Sequence, residues 1–213
     1  MSKRIIIFGT NTGVGKTVFS ALLCKELKGT GFKVAYVKPV QTGYPTDNDA
    51  LTVREISGLS EKEAFSVVKE REPVAPAALF DRIPLDRVLE KIEEMESYDY
   101  LIIETVGGVC SPLDKSLLNY HLSKILKSDF NIVVVPNRLG CINDALLVNY
   151  LFSKEGIGFA FALDNYFMED KNQKNEELID HFTKRVTFVF NRHGFWYTKK
   201  EFEELRDIFN IYG

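Results

Sequence analysis

Six short apolar runs punctuate the chain: Arg4 to Phe8, Lys33 to Val37, Tyr100 to Ile103, Ile132 to Val135, Phe159 to Leu163 and Val186 to Phe190. Each has the length of a strand and is apolar at consecutive positions, and helical periodicity fills most of the intervals between them. A strand apolar on both sides needs cover on both faces, which a parallel sheet between helices provides. The pattern therefore predicts an α/β fold in one domain spanning 1–213: a doubly wound, mostly parallel sheet flanked by helices, with ligands at the carboxyl ends of its strands. The first helix, from Lys16 to about Lys28, should end near Gly29 and Gly31. The segment Leu85 to Met95 carries Val88, Leu89 and Ile92 on one face, with Glu90, Glu93, Glu94 and Glu96 as a solvated face. Glu72-Pro73-Val74-Ala75-Pro76 reads as a loop.

The first run leads directly into Gly9-Thr10-Asn11-Thr12-Gly13-Val14-Gly15-Lys16-Thr17, with Val18 continuing into the helix. A glycine-rich loop between a strand and a helix turns its backbone N–H groups into one concavity, which suits a phosphate chain. Lys16 would reach the outer phosphates and the Thr17 hydroxyl would bind magnesium. The spacing departs from the generic phosphate-loop pattern, whose first glycine falls at position 10, where this chain has Thr10; Gly9 stands one place early.

Further candidates follow other strands. Lys38, in Lys38-Pro39-Val40-Gln41-Thr42-Gly43, can place a second positive charge over a reacting phosphoryl group, although surface lysines are common. Asp47, Asn48 and Asp49 either cap a helix or contribute a carboxylate. Glu104 ends an apolar strand before Thr105-Val106-Gly107-Gly108, in position to hold magnesium, which asks for oxygen ligands and keeps some of its waters. The turn Asn137 to Ala145 opens a helix whose amino terminus can hold an anion; alternatively Asn143 or Asp144 only caps it.

Composition removes several classes. A net charge of −3 gives no basic field for nucleic acid or anionic lipid. The four apolar residues after Met1-Ser2-Lys3-Arg4 are too few for a signal segment, no stretch approaches a membrane span, and a cytoplasmic location is expected. Cys24, Cys110 and Cys141 are odd in number and far apart, and His121, His181 and His193 form no ligand spacing with them, so neither a disulfide framework nor a zinc site is supported.

Taken in order, these stretches resemble the dethiobiotin synthetase family, in which Gly-Thr-Asp/Asn-Thr-x-Val-Gly-Lys-Thr is the loop pattern, so Thr10 fits there. The resemblance, to a P-loop NTPase-like fold, continues through Lys38-Pro39-Val40, Asp49-Ala50, Pro73 to Pro76, Glu104 with Gly107-Gly108, and Leu139-Gly140-Cys141-Ile142-Asn143. It implies that Asn11, Thr12, Gly13, Val14, Gly15, Lys16, Thr17 and Val18 hold ATP, with Asn165 on the adenine side. It implies magnesium at Thr17, Asp49 and Glu104, and Thr12, Lys38 and Thr42 facing 7,8-diaminopelargonate and the carbamate made from it and carbon dioxide. It further implies a homodimer in which Gly140, Cys141 and Asn143 of one subunit receive the substrate carboxylate of the other. Where the family commonly has Glu-Gly-Ala-Gly-Gly, this chain has Thr105 and Val106, whose larger side chains are expected to narrow the space beside the metal. From Tyr166 onward the resemblance fades; Phe195, Trp196 and Tyr197 either pack on a purine or cover the core.

Other readings are weaker. A regulatory partitioning-type ATPase shares the fold and loop but usually has another lysine near the loop's start, where this chain has Thr10-Asn11-Thr12. Amidotransferase-type ligases acting on cobalamin precursors normally continue into a glutaminase domain, which 213 residues cannot hold. Asn137-Arg138-Leu139-Gly140 lacks the Asn-Lys-x-Asp that selects guanine.

Overall fold

In a computed structural model that describes residues 2–167 and 174–190, the apolar runs become strands of one sheet. Strands β1 (Lys3–Gly9), β2 (Val34–Gln41), β3 (Ala64–Lys69), β4 (Tyr100–Glu104), β5 (Phe130–Pro136), β6 (Ala160–Asp164) and β7 (Thr187–Phe190) lie in the order β3-β2-β4-β1-β5-β6-β7. Every neighbouring pair is parallel. Helices α1 (Lys16–Gly29), α2 (Asp49–Ser57), α3 (Leu85–Glu93), α4 (His121–Ile125), α5 (Cys141–Glu155) and α6 (Asn175–Thr183) connect them.

Alternating strand residues feed two cores. Ile5, Ile7, Tyr36 and Ile102 pack with Phe19, Leu23 and Leu27 of α1 and Val53 of α2. Ile6, Phe8, Val37 and Ile103 face the opposite layer, with Val88 and Ile92 of α3 and Phe152 of α5. The doubly wound expectation is met, and α1 ends at Gly29 with Gly31 left-handed behind it (φ 94°). Among the described residues no helix is long and apolar enough to cross a membrane.

Two differences from the sequence pattern have physical causes. Strand β3 was not expected: its apolar run is broken by Ser66 and flanked by charge, as an edge strand tolerates. Strand β2 runs to Gln41, through Pro39. Beyond Val37 it pairs with β3 alone, so Pro39, which lacks an N–H, occupies a stretch with only one ladder to serve.

Candidate functional site

The carboxyl ends of β1, β2 and β4 meet at the loop before α1. The early Gly9 has a local reason: a Cβ there would stand 2.7 Å from Val14 Cγ2 and 3.0 Å from Lys16 Cδ. Glycine thus makes room for the loop's own side chains. Gly15 is left-handed (φ 100°) and lies against the Asp164 carboxylate, so conformation and space both require glycine. Gly108 allows the segment after β4 to approach, since a Cβ there would meet Thr10 O at 2.8 Å.

Asn11, Thr12 and Gly13 form the exposed crest of this loop. Val14 is buried in the α1 and α2 core, so it can offer a ligand only its backbone. Lys16 is 6% exposed and its Nζ donates to Asn11 O at 3.0 Å. Burial, reinforced by the neighbouring charge of Lys38, pushes the Lys16 ammonium down to about 8 against the opposing pull of Glu104 and Asp49.

The charges across the cleft form one connected cluster. Glu104, with no exposed surface, accepts at Oε1 from Thr17 Oγ1 and Lys38 Nζ, both at 2.9 Å, and at Oε2 from the Tyr36 hydroxyl at 2.8 Å. Lys38 also forms an ion pair with Asp49. Burial opposes the charge on Lys38, but Glu104 and Asp49 more than offset it and hold the ammonium above its ordinary value. Burial first, then the same carboxylates, pushes the Tyr36 phenol well above its usual range.

The structure separates Asp49 from its neighbours. Asn48 is the cap of α2, its Oδ1 accepting from Leu51 N at 3.1 Å, whereas Asp49 is the first helical residue, with its N–H held by Gln41 Oε1 at 3.1 Å. A cleft of about 340 Å³ brings together Thr12, Gly13, Gly15, Lys16, Thr17, Val18, Lys38, Thr42, Asp49 and Glu104. The donor set suits a small hard cation: Thr17, Asp49 and Glu104 offer only oxygen, and an ammonium already sits between the two carboxylates.

Of the two residues expected to crowd the metal, only Val106 lines the cleft. Thr105 is 1% exposed and turns away, its Oγ1 donating to Ile7 O at 3.1 Å. The expected narrowing by Thr105 is therefore corrected.

On the other side of β1 the strand ends carry amides. Asn165, just after β6, accepts at Oδ1 from Asn137 Nδ2 at 2.6 Å, and Asn137 Oδ1 accepts from Asn175 Nδ2 at 2.7 Å. Gly140, left-handed at φ 93°, opens α5 without a side-chain cap, so neither Asn143 nor Asp144 serves as one. Asn143 is exposed, while Cys141 is 1% exposed and its N–H donates to Arg138 O at 3.0 Å. Gly140, Cys141 and Asn143 do not line the cleft of their own chain. Phe195, Trp196 and Tyr197 lie outside the described residues.

The sequence reading gave no role to Tyr36, Gln41 or Asn137, and left Asp47 open between a helix cap and a carboxylate. Tyr36 had a signal, because alternation puts it on the same strand face as Lys38. Gln41, which steadies Asp49, and Asp47 become visible only when the loop after β2 folds back over the cleft.

Comparison with known proteins gives this geometry its class. The family model described as an AAA domain matches residues 3–189, from the start of β1 nearly to the end of β7, and so spans the glycine-rich loop before α1. Within this class the chain belongs to the ATP-dependent dethiobiotin synthetase family. It is 37% identical over 171 residues to the ATP-dependent dethiobiotin synthetase BioD of Methanocaldococcus jannaschii, covering 76% of this chain and 78% of that protein. Among solved structures, the hydrogenase maturation factor HypB from Archaeoglobus fulgidus matches with a TM-score of 0.62 at 14% identity, over 98% of this chain and 90% of that one. A plasmid partition protein from Borrelia burgdorferi matches with a TM-score of 0.58 at 16% identity, over 100% of both chains. At such identities these two likenesses concern the fold alone.

Proposed function

We propose that the chain is an ATP-dependent dethiobiotin synthetase, closing the ureido ring on 7,8-diaminopelargonate with carbon dioxide and releasing ADP and phosphate. The observation that carries this reading is the single cleft in which a phosphate loop faces a second buried lysine, Lys38, held between two carboxylates. The dethiobiotin synthetase relatives supply the substrate class.

In this reading one amine of the substrate captures carbon dioxide as a carbamate, losing a proton. A carbamate oxygen attacks the γ-phosphorus as ADP leaves, giving a carbamic-phosphoric anhydride. The second amine then attacks the carbonyl carbon, the C–O bond to phosphate breaks, the amine gives up a proton to the departing phosphate or solvent, and the cyclic urea forms. Such transfers ask a protein for positioning and charge stabilisation, with no covalent nucleophile. The loop backbone from Asn11 to Gly15, with Lys16, Thr17 and Val18, holds the triphosphate. Lys38 and Thr12 steady the carbamate, and Thr42 faces the diamine. Thr17, Asp49 and Glu104 would hold magnesium, which neutralises charge on the phosphoryl oxygens. Asn165 contacts the base, with Asn137 behind it.

The homodimer belongs to the same proposal. Leu139, before α5, and Leu147 and Tyr150, along it, are 93%, 62% and 71% exposed, and exposed apolar patches mark contact surfaces. A partner there would let Gly140, Cys141 and Asn143 reach a neighbouring substrate's carboxylate. One domain over 1–213 is supported by the single sheet that carries every described strand, and a cytoplasmic setting by the three free cysteines.

The test supplies ATP, magnesium, bicarbonate and 7,8-diaminopelargonate and identifies the product by mass. A ureido product formed in step with ADP is expected. ATP hydrolysis stimulated by DNA or lipid, without that product, would favour the partitioning-type reading.

A further inference from the structure

Tyr36 is a large, fully buried side chain, and its ring packs in the core beneath α1 and α2. A phenylalanine would fill the same volume, so packing does not account for the hydroxyl. A buried phenol needs a hydrogen-bond partner, and here that partner is Glu104 Oε2, 2.8 Å away. The two oxygens of Glu104 therefore have different neighbours. Oε1 faces the cleft, where Thr17 Oγ1 and Lys38 Nζ reach it, while Oε2 is turned back into the sheet and engaged by Tyr36.

We propose that Tyr36 is a positioning residue that fixes the rotation of the Glu104 carboxylate so that one oxygen alone meets a divalent cation, and thereby favours magnesium over calcium. The inference rests on the reading that Thr17, Asp49 and Glu104 hold that cation. Magnesium is small, strictly octahedral and satisfied by one oxygen from each carboxylate. Calcium takes more ligands in looser geometry and readily uses both oxygens of one carboxylate. A buried carboxylate whose second oxygen is engaged by a phenol suits the first ion better than the second. Outer partners that orient a metal ligand are typically worth about 10–100-fold in metal affinity.

The experiment compares wild type, Tyr36→Phe and Glu104→Gln, each with ADP. Manganese, as a magnesium substitute, is titrated by electron paramagnetic resonance, and calcium is titrated by competition. Tyr36→Phe is expected to lower manganese affinity roughly 10-fold while calcium affinity holds or rises, so the ratio moves by at least that factor. ADP affinity without metal should not change. An unchanged ratio in Tyr36→Phe, with Glu104→Gln losing the metal, overturns the proposal and leaves the cation site standing. If Glu104→Gln binds both ions as wild type does, the cation site itself is wrong. Should Tyr36→Phe fail to fold, fluorine NMR of wild type labelled with 3-fluorotyrosine decides. The Tyr36 signal is expected to differ between the magnesium and calcium complexes of ADP, and an identical signal overturns the proposal.

Discussion

Towards β4 and β2, the strand ends beside the phosphate loop carry Lys38 and Glu104, joined to Asp49, Thr17 and Tyr36 in one hydrogen-bonded and ionic cluster. Towards β5 and β6, they carry Asn137 and Asn165, linked amide to amide and onward to Asn175. Both sides bury polar groups at the same level of the same sheet, yet one is built on a lysine paired with two carboxylates and the other on amides, with Asp164 against Gly15 as its buried acid. The difference follows from the work each side would do. Charge moving between carbamate and phosphate needs fixed countercharges, and burying those is tolerable only when they are paired. Recognition of a base needs direction more than charge, and a chain of amides supplies it with a smaller desolvation penalty.

Lys38→Ala is the severest break of the charged side. Its single-turnover rate is expected to fall by ~10²–10³, as for the loss of one fixed charge stabiliser, measured by rapid quench of the phosphorylated intermediate and ADP. The melting temperature should fall as well, because Glu104 loses its countercharge, and magnesium nucleotide should restore part of it. Full single-turnover activity would contradict the role given to Lys38.

Lys16 sharpens the comparison through pH. Its ammonium is lowered from 10.5 to about 8. Between those values the unfolded chain binds more protons than the native one, so burial of Lys16 costs stability below about pH 8, and the cost is relieved as pH rises through that window. A bound triphosphate restores the proton. Above pH 8 binding therefore takes up a proton, and affinity falls by up to about tenfold per unit. Calorimetry in two buffers of different ionisation heat would detect the uptake, and Lys16→Arg, which stays charged, should remove it.

On the amide side, Asn137→Ala should raise the KM for ATP about tenfold, the effect of one hydrogen bond, with kcat nearly unchanged and affinity for tripolyphosphate unaffected. An equal loss for tripolyphosphate would place Asn137 in folding rather than base recognition. If the proposed homodimer forms through α5, Leu147→Glu with Tyr150→Glu should shift sedimentation from dimer to monomer. The smallest effect is expected for Thr105→Gly, about 1–2 kcal/mol of stability read by denaturant unfolding, with turnover intact because the side chain faces Ile7 and not the cleft.

Much of this was legible in the sequence, and unevenly so. Consecutive apolar runs marked six strands, because buried parallel strands have no polar side, whereas β3 was hidden by the mixed pattern that an edge permits. Lys16, Lys38, Thr17 and Glu104 could be found because each lies at or beyond the end of an apolar run, and strand ends converge in a parallel sheet. Asp49 could not be told from a cap until Asn48 was seen to cap α2. Tyr36 is one more position in an apolar run, because its ring is core; its hydroxyl acquires meaning only from β4, 68 residues away. The amide chain through Asn137 is a contact between three separate elements and leaves no local pattern.

The most direct test follows an oxygen atom. In bicarbonate labelled with heavy oxygen, the carbamate oxygen that attacks ATP must leave with phosphate when the ring closes. With 7,8-diaminopelargonate present, one labelled oxygen per phosphate is predicted by mass spectrometry, appearing in step with the ureido product. Unlabelled phosphate alongside that product would contradict phosphoryl transfer to the carbamate in the cleft between Lys16 and Lys38.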